Sequence, residues 1–332
     1  MKPPQLVLLV GAPRSGTTWL QHLLGAHPAI VTPQETNIFS KWGYVGPLAE
    51  RWQRDLDEGH IRRYHGLPAI LTQEQFLDLL RTLVATIYAP LLERKPGATM
   101  VLDKTPAHAR ELGTALEIVP DARVIHLIRD GRDVACSMMR VSVKDWGSGW
   151  APGRVAGAAG YWREHVELAR NGRELTEHYT EARYEELQSS DAPSVLAELF
   201  AFCGLERDVD LARETLERFD IDRTRALSPS EQPSSIVWGG ERVRRHGDQH
   251  EEPEGFVGAG RAGGWREKLD QHERLVFDRV AGDLLIELGY EPDRSWVGGS
   301  RAGRSLAPLA HHSRRVRRRL RRELSRVGRR PA

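Results

Sequence analysis

The chain has 332 residues, of which 40% are apolar, 28% charged and 7% aromatic, the usage of an ordinary folded protein. No stretch approaches the roughly 20 apolar residues that span a bilayer, the N-terminus lacks the apolar core and cleavage site of a secretory leader, and two cysteines, Cys136 and Cys203, exclude a disulfide framework. A reducing, cytoplasmic setting is expected, but the charge is uneven: residues 301–332 hold twelve arginines and one acid, Glu323, so they carry +11 and the rest of the chain −9 within a total of +2.

Residues 5–10 (QLVLLV) form a short apolar run closed by Gly11, the pattern of a strand buried on both faces. Residues 17–24 set Trp19, Leu20, Leu23 and Leu24 at helical spacing, and His27-Pro28 ends that helix. An amphipathic helix is predicted over 72–93, with Phe76, Leu79, Leu80, Leu83, Val84 and Ile87 on one side. Strands over 99–102 and 123–128 alternate with helices over 107–118 and 132–139. Further helices are predicted over 160–175 and 193–202, with a strand near 180–184 between them. Residues 228–264, rich in Gly, Pro, Ser and charge, read as a long loop, and 271–288 as a last amphipathic helix. The alternation predicts an α/β fold of three layers, a central parallel sheet flanked by helices. One domain is expected over 1–296, with a separate basic tail over 297–332.

Gly11-Ala12-Pro13-Arg14-Ser15-Gly16-Thr17-Thr18-Trp19 joins the first strand to the first helix. Such a turn aims backbone N–H groups and a helix N-terminus at an anion, and Gly11 and Gly16 let the backbone come close. The two glycines have P-loop spacing, which makes the fold P-loop-like. Thr17, however, stands where a triphosphatase keeps the lysine that reaches the β/γ-phosphates. The cation is instead Arg14, inside the loop, and the pattern suits a smaller anionic group without magnesium. The segment from Pro13 to Trp19 resembles the 5′-phosphosulfate loop of sulfotransferases that use 3′-phosphoadenosine 5′-phosphosulfate (PAPS). The resemblance implies that Arg14, Ser15, Gly16, Thr17 and Thr18 bind the phosphosulfate and that Trp19 stacks on adenine.

Arg129 ends the 123–128 strand, where ligands bind in open α/β sheets. Asp133 and Ser137 follow at i and i+4 on the next helix, and a guanidinium converging with a hydroxyl suits a phosphate. The stretch from Arg129 to Ser137 resembles the family's 3′-phosphate motif, which implies Arg129 and Ser137 as the contacts. His126, mid-strand, reads as a core histidine.

Transfer also needs a base for the acceptor proton and a cation for the leaving phosphate. The stretch from His27-Pro28 to Phe39 resembles the base segment of Golgi-type and many bacterial members, which implies Glu35 as the base. Asp103-Lys104-Thr105-Pro106 resembles the segment whose lysine approaches the sulfuryl group, which implies Lys104 as the cation. Cytosolic members carry their histidine base where this chain has Pro106, so His108, two residues on, is a second candidate. Tyr184, in Arg183-Tyr184-Glu185-Glu186-Leu187, matches a tyrosine near adenine. The segment from Gly260 to Arg266 resembles the C-terminal nucleotide segment, but Gly258-Ala259-Gly260 replaces the Arg-Lys-Gly of cytosolic members and leaves Arg261 as the substitute.

The implied reaction moves a sulfuryl group from PAPS to an acceptor hydroxyl or amine of a small molecule, glycan or lipid and releases PAP, with no metal. The alternatives are a P-loop-type kinase or NTPase, or a non-catalytic PAP-binding module targeted by its tail. Phe39, Trp42, Tyr44, Trp52, Tyr64, Trp146 and Trp150 are candidates to line an apolar acceptor pocket. In the tail, Val316, Leu320, Leu324 and Val327 among arginines form a basic amphipathic pattern that suits an anionic membrane surface or an acidic partner. No nucleic-acid-binding signature is present, and the arginine-rich composition suggests a bacterial source.

Overall fold

A computed structural model describes residues 3–58, 66–227, 234–237, 256, 258 and 260–298. The basic tail beyond 298, Tyr64 and most of the 228–264 segment lie outside the described residues.

Five strands form one parallel sheet in the order β2-β3-β1-β4-β5: β1 (Gln5–Gly11), β2 (Ile30–Val31), β3 (Met100–Lys104), β4 (Arg123–Ile128) and β5 (Tyr179–Arg183). The apolar run of β1 explains its central place. Leu6, Leu8 and Val10 point into one core, and Val7 and Leu9 into another, so both faces need a cover.

The covers are helices. In chain order they are α1 (Thr17–Gly25), α2 (Gly46–Glu58), α3 (Gln73–Arg94), α4 (Leu112–Ile118), α5 (Gly131–Ser142), α6 (Asp145–Ser148), α7 (Val155–Arg170), α8 (Gly172–Leu175), α9 (Ala192–Phe202), α10 (Val209–Arg218), α11 (Ile221–Ala226), α12 (Trp265–Lys268) and α13 (Gln271–Glu287). Phe76, Leu80, Val84 and Tyr88 of α3 pack on the Leu6–Leu8–Val10 side, and Leu20 and Leu23 of α1 with Leu196 and Phe200 of α9 on the other. A third cluster joins α5, α7 and α13 through Val134, Met138, Trp162, Phe277 and Leu284. The result is the expected three layers.

Helix α3 starts at a capping box in which Thr72 and Gln75 satisfy each other's backbone N–H groups. Against the expectation drawn from composition, it is long and apolar enough to cross a bilayer. Its Phe76, Leu80, Val84, Ala85, Tyr88 and Leu91 are buried against the fold along one face, and Leu79, expected on that side, is exposed.

Other boundaries moved for local reasons. The predicted 107–118 helix is a 3-10 turn, Pro106–Arg110, followed by α4, with Glu111 in non-helical geometry between them. The predicted 160–175 helix begins at Val155, hidden by the small residues Ala156, Gly157, Ala158 and Ala159, and breaks after Arg170. Strand β2 and helices α2, α10 and α11 were not anticipated.

Register sets the site. Leu9 lies opposite Lys104, Gly11 opposite Leu127, and Ile128 opposite Arg183. The C-terminal ends of β1, β3, β4 and β5 therefore reach one edge together and bring Arg14, Lys104, Arg129 and Tyr184 into one neighbourhood.

Candidate active site

The β1–α1 loop is shaped by two close approaches. A Cβ on Gly11 would lie 2.5 Å from the Leu127 carbonyl oxygen, and one on Gly16 2.5 Å from Cδ2 and Cε2 of Tyr184. Gly16 caps α1 in the left-handed region, with φ +95°. Arg14 is left-handed as well, at φ +75°, a conformation that costs a non-glycine residue energy and is found at ligand-holding turns. Ser15 is buried, and its Oγ has no hydrogen-bond partner among the described residues. A hydroxyl left without a partner at a helix N-terminus fits an anion there.

One cavity, of about 370 Å³, extends from this loop across β4 and α5. Gly16, Thr17, Thr18 and Trp19 border it on one side, and Arg129, Ser137 and Tyr184 on another. Arg129 is almost wholly buried. Its guanidinium carbon lies 4.0 Å over the Tyr184 ring, Nη2 donates to the Arg261 carbonyl at 3.3 Å, and Nε is left without a partner among the described residues. The Tyr184 hydroxyl donates to the Gly260 carbonyl at 2.6 Å. Asp133 accepts from the N–H groups of Gly263 and Trp265 at 2.7 and 2.8 Å, which pins the Gly260–Trp265 strip to α5. A buried cation with an unspent donor, bordering the same cavity as the half-buried Ser137 hydroxyl, suits a doubly anionic ligand. Trp19 borders the same cavity. Its ring meets Tyr184 edge-on at 5.5 Å, and its Nε1 donates to the Phe219 carbonyl at 2.8 Å.

Arg261 borders this cavity, but its guanidinium is 74% exposed and lies 3.9 Å from Glu267. Its contribution to Arg129 is its carbonyl. Arg140, Lys268, Phe219 and His22 border the cavity too and were missed in the sequence. The signal for Arg140 was available, because it continues the α5 face of Asp133 and Ser137. Phe219 had none, since its place depends on how α10 ends. Its ring stacks on His22, whose imidazole is held down at about 4 by burial and, less, by Lys104.

A second cavity, of about 770 Å³, lies on the other side of the loop. The two share Arg14, Thr17, Thr18 and Phe256. Arg14 spans the boundary: its Nε donates to Ser137 Oγ at 3.3 Å, its Nη2 donates to the Phe256 carbonyl at 2.5 Å, and its guanidinium carbon lies 4.6 Å from the Phe256 ring centre. Glu35 and Lys104 border the second cavity as an ion pair, with Lys104 3% and Glu35 40% exposed. A carboxylate open to the cavity can accept a proton from a guest, and the ammonium at the end of β3 can offset charge beside the loop.

Some expected residues are not brought together. His108 is wholly buried and borders neither cavity, and its Nε2 accepts the Phe39 N–H at 3.2 Å. With both proton sites turned inward, it is not placed to act as a base. Of the aromatic residues, Trp42, Trp146 and Trp150 border the second cavity. Phe39 is core, Trp52 stacks on Phe76 at 4.2 Å, and Tyr44 is exposed away from the lining. His126 is buried, as expected, and bonds Tyr179 Oη at 2.9 Å.

Residues 4–209 match the Sulfotransferase family. The chain is 27% identical over 297 residues to nodulation protein NoeE of Sinorhizobium fredii, covering 87% of this chain and 66% of that protein. It is 28% identical over 138 residues to protein-tyrosine sulfotransferase 1 of Mus musculus, covering 42% of this chain and 35% of that one. The chain thus spans less than half the length of the tyrosine sulfotransferases it matches. Among solved structures, a mouse sulfotransferase complexed with PAP superposes with a TM-score of 0.50 at 15% identity, covering 94% of this chain and 89% of the other, a likeness of fold.

Proposed function

Because the chain belongs to the sulfotransferase family, we propose that it transfers a sulfuryl group from PAPS to a hydroxyl or amine of a small-molecule, glycan or lipid acceptor and releases PAP. The observation that carries this reading is the pair of cavities meeting at the β1–α1 loop, with Arg129 and Ser137 in one and the Glu35–Lys104 pair in the other.

The donor would lie in the first cavity. Arg129 and Ser137 hold its 3′-phosphate, the loop from Arg14 to Thr18 its phosphosulfate, and Trp19 and Tyr184 its base. The donor supplies the sulfuryl group and the leaving phosphate. The acceptor atom attacks sulfur, its proton passes to a Glu35 oxygen, the bond from sulfur to the bridging phosphate oxygen breaks, and Lys104 faces the charge left on PAP. An NTPase would need a lysine where Thr17 stands. Trp42 and Trp150 at the second cavity give an acceptor flat apolar surfaces to rest on.

Calorimetric titration with PAP, 5′-AMP and Mg-ATP tests the reading. PAP is expected to bind without magnesium and far more tightly than 5′-AMP, and Arg129→Ala to erase most of that preference. Equal binding of PAP and 5′-AMP, or binding of Mg-ATP alone, would refute it.

A further inference from the structure

The residue before Lys104 is a fully buried carboxylate, Asp103, which borders neither cavity. A buried carboxylate is costly unless its oxygens are hydrogen-bonded, and here three hydroxyls serve it. Oδ2 accepts from Tyr88 Oη and Thr36 Oγ1, and Oδ1 accepts from Thr105 Oγ1 at 2.8 Å. Thr36 directly follows Glu35. Asn37 and Ile38 are tied to the same carboxylate through these threonines, and Phe39 is tied to His108 beside it. The Asn37 N–H donates to Thr105 Oγ1 at 3.4 Å, the Ile38 N–H to Thr36 Oγ1 at 3.2 Å, and the Phe39 N–H to His108 Nε2 at 3.2 Å. Because Nε2 accepts, the ring proton sits on Nδ1, which faces Asp103 Oδ1 at 3.9 Å. Asn37 is left-handed at φ +53°, a bend that these bonds must hold. An ion pair with a partner as exposed as Glu35 is too weak to fix a chain segment by itself.

We propose that Asp103 is a positioning residue for transfer: through Thr36 and Thr105 it clamps the 36–38 segment to β3, with His108 holding the Phe39 N–H beside it, and so holds Glu35 against Lys104 before any substrate binds. The proposal rests on reading Glu35 and Lys104 as base and cation of a sulfotransferase. It also gives His108 a place in the site's support instead of in the chemistry.

Lysine footprinting with an acetylating reagent, read by mass spectrometry, reports on Lys104 without needing an acceptor. Glu35→Gln sets the labelling rate of a broken pair. Thr36→Val and Asp103→Asn are each expected to raise Lys104 labelling at least about five-fold, toward the Glu35→Gln rate, because the segment opens locally. Thr36→Ser, which keeps the hydroxyl, should stay at the wild-type rate, and Lys95 and Lys268 should not change in any variant. In PAPS turnover, kcat is expected to fall on the order of 100-fold with KM for PAPS and the Kd for PAP unchanged, the mark of misplacement on the acceptor side. Wild-type Lys104 labelling in Thr36→Val and Asp103→Asn would overturn the clamp, as would no rescue by Thr36→Ser or a rise at all lysines together. The two readings separate: a wild type that does not bind PAP overturns the sulfotransferase reading and with it the clamp's purpose, whereas unchanged Lys104 labelling in a protein that binds PAP overturns the clamp alone.

Discussion

A single methyl group on Gly16 should disable the donor site. At φ +95° an L side chain costs about 1–2 kcal/mol. The new Cβ would also stand 2.5 Å from two ring carbons of Tyr184, and ordinary carbon contact is about 3.5–4.0 Å, so the ring must retreat by roughly 1 Å. Tyr184 is not free to do so. It is 2% exposed, its hydroxyl is bonded to the Gly260 carbonyl, and its face carries Arg129. A lost hydrogen bond adds about 1 kcal/mol and a displaced cation–π contact about 0.5–1 kcal/mol. Gly16→Ala should therefore destabilise the fold by about 3 kcal/mol and weaken PAP binding at least about 100-fold, since the loop and Arg129 move together. Urea denaturation and PAP calorimetry read the two effects. Adding Tyr184→Ala removes the overlap but not the backbone cost, so in the double variant the stability losses should sum to less than the two single losses. The reasoning fails if Gly16→Ala binds PAP like wild type, or if the two substitutions are strictly additive.

Glu35→Gln should lower the transfer rate by roughly 10²–10⁴-fold with PAP affinity unchanged, measured as PAP release from PAPS beside calorimetry; equal loss of both would place Glu35 in the donor site. Trp42→Ala should raise KM for the acceptor and leave PAP binding alone, and an unaltered KM would remove Trp42 from acceptor binding. His165 is held near 4 by burial and, to a lesser extent, by Arg110. It is neutral when folded, so its contribution is complete above the unfolded value of about 6.5 and drains away as pH falls toward 4, by roughly 3 kcal/mol. His165→Gln cannot titrate and should show a shallower fall in urea midpoint between pH 7 and 4.5; identical slopes would contradict this. Glu181 has the opposite chemistry and the same sign. Burial would raise its carboxyl, but His126 and Arg170 bring it down to about 2, so its contribution is present above about 4.5 and lost toward pH 2. Glu181→Gln should flatten the most acidic part of the stability curve.

The residues whose function lies in the backbone around them were the most legible. Gly11, Arg14, Gly16 and Arg129 sit at strand ends or in the turn before a helix, positions that a strand–helix alternation fixes before any packing is known, and Ser137 follows from the i, i+4 spacing after Asp133 on α5. Lys104 followed for the same reason. Glu35 was read by its order after the first helix, and its pairing with Lys104 came only from the parallel register of β2 and β3. What escaped depends on tertiary placement. Phe39 and Trp52 look like pocket residues in a loop-like stretch, yet Trp52 lies on α2 and stacks against α3, and Phe39 is buried in the same core. His108 lies two positions past Pro106, where cytosolic members carry their histidine, but the 3-10 turn at Pro106–Arg110 rotates it into the core. Phe219 becomes a wall of the first cavity only because α10 ends beside α1.

Arg14, Thr17, Thr18 and Phe256 face two cavities at once. Two guests separated by one thin partition can be resident together, so neither has to leave before the other arrives, and under the proposed function the sulfuryl group need not be carried on the chain itself. Initial-rate lines at several donor concentrations should then intersect instead of running parallel. The same partition invites a bisubstrate ligand: an adenosine bisphosphate joined to an acceptor mimic by a link of a few atoms past Arg14 would hold its second half at a high local concentration.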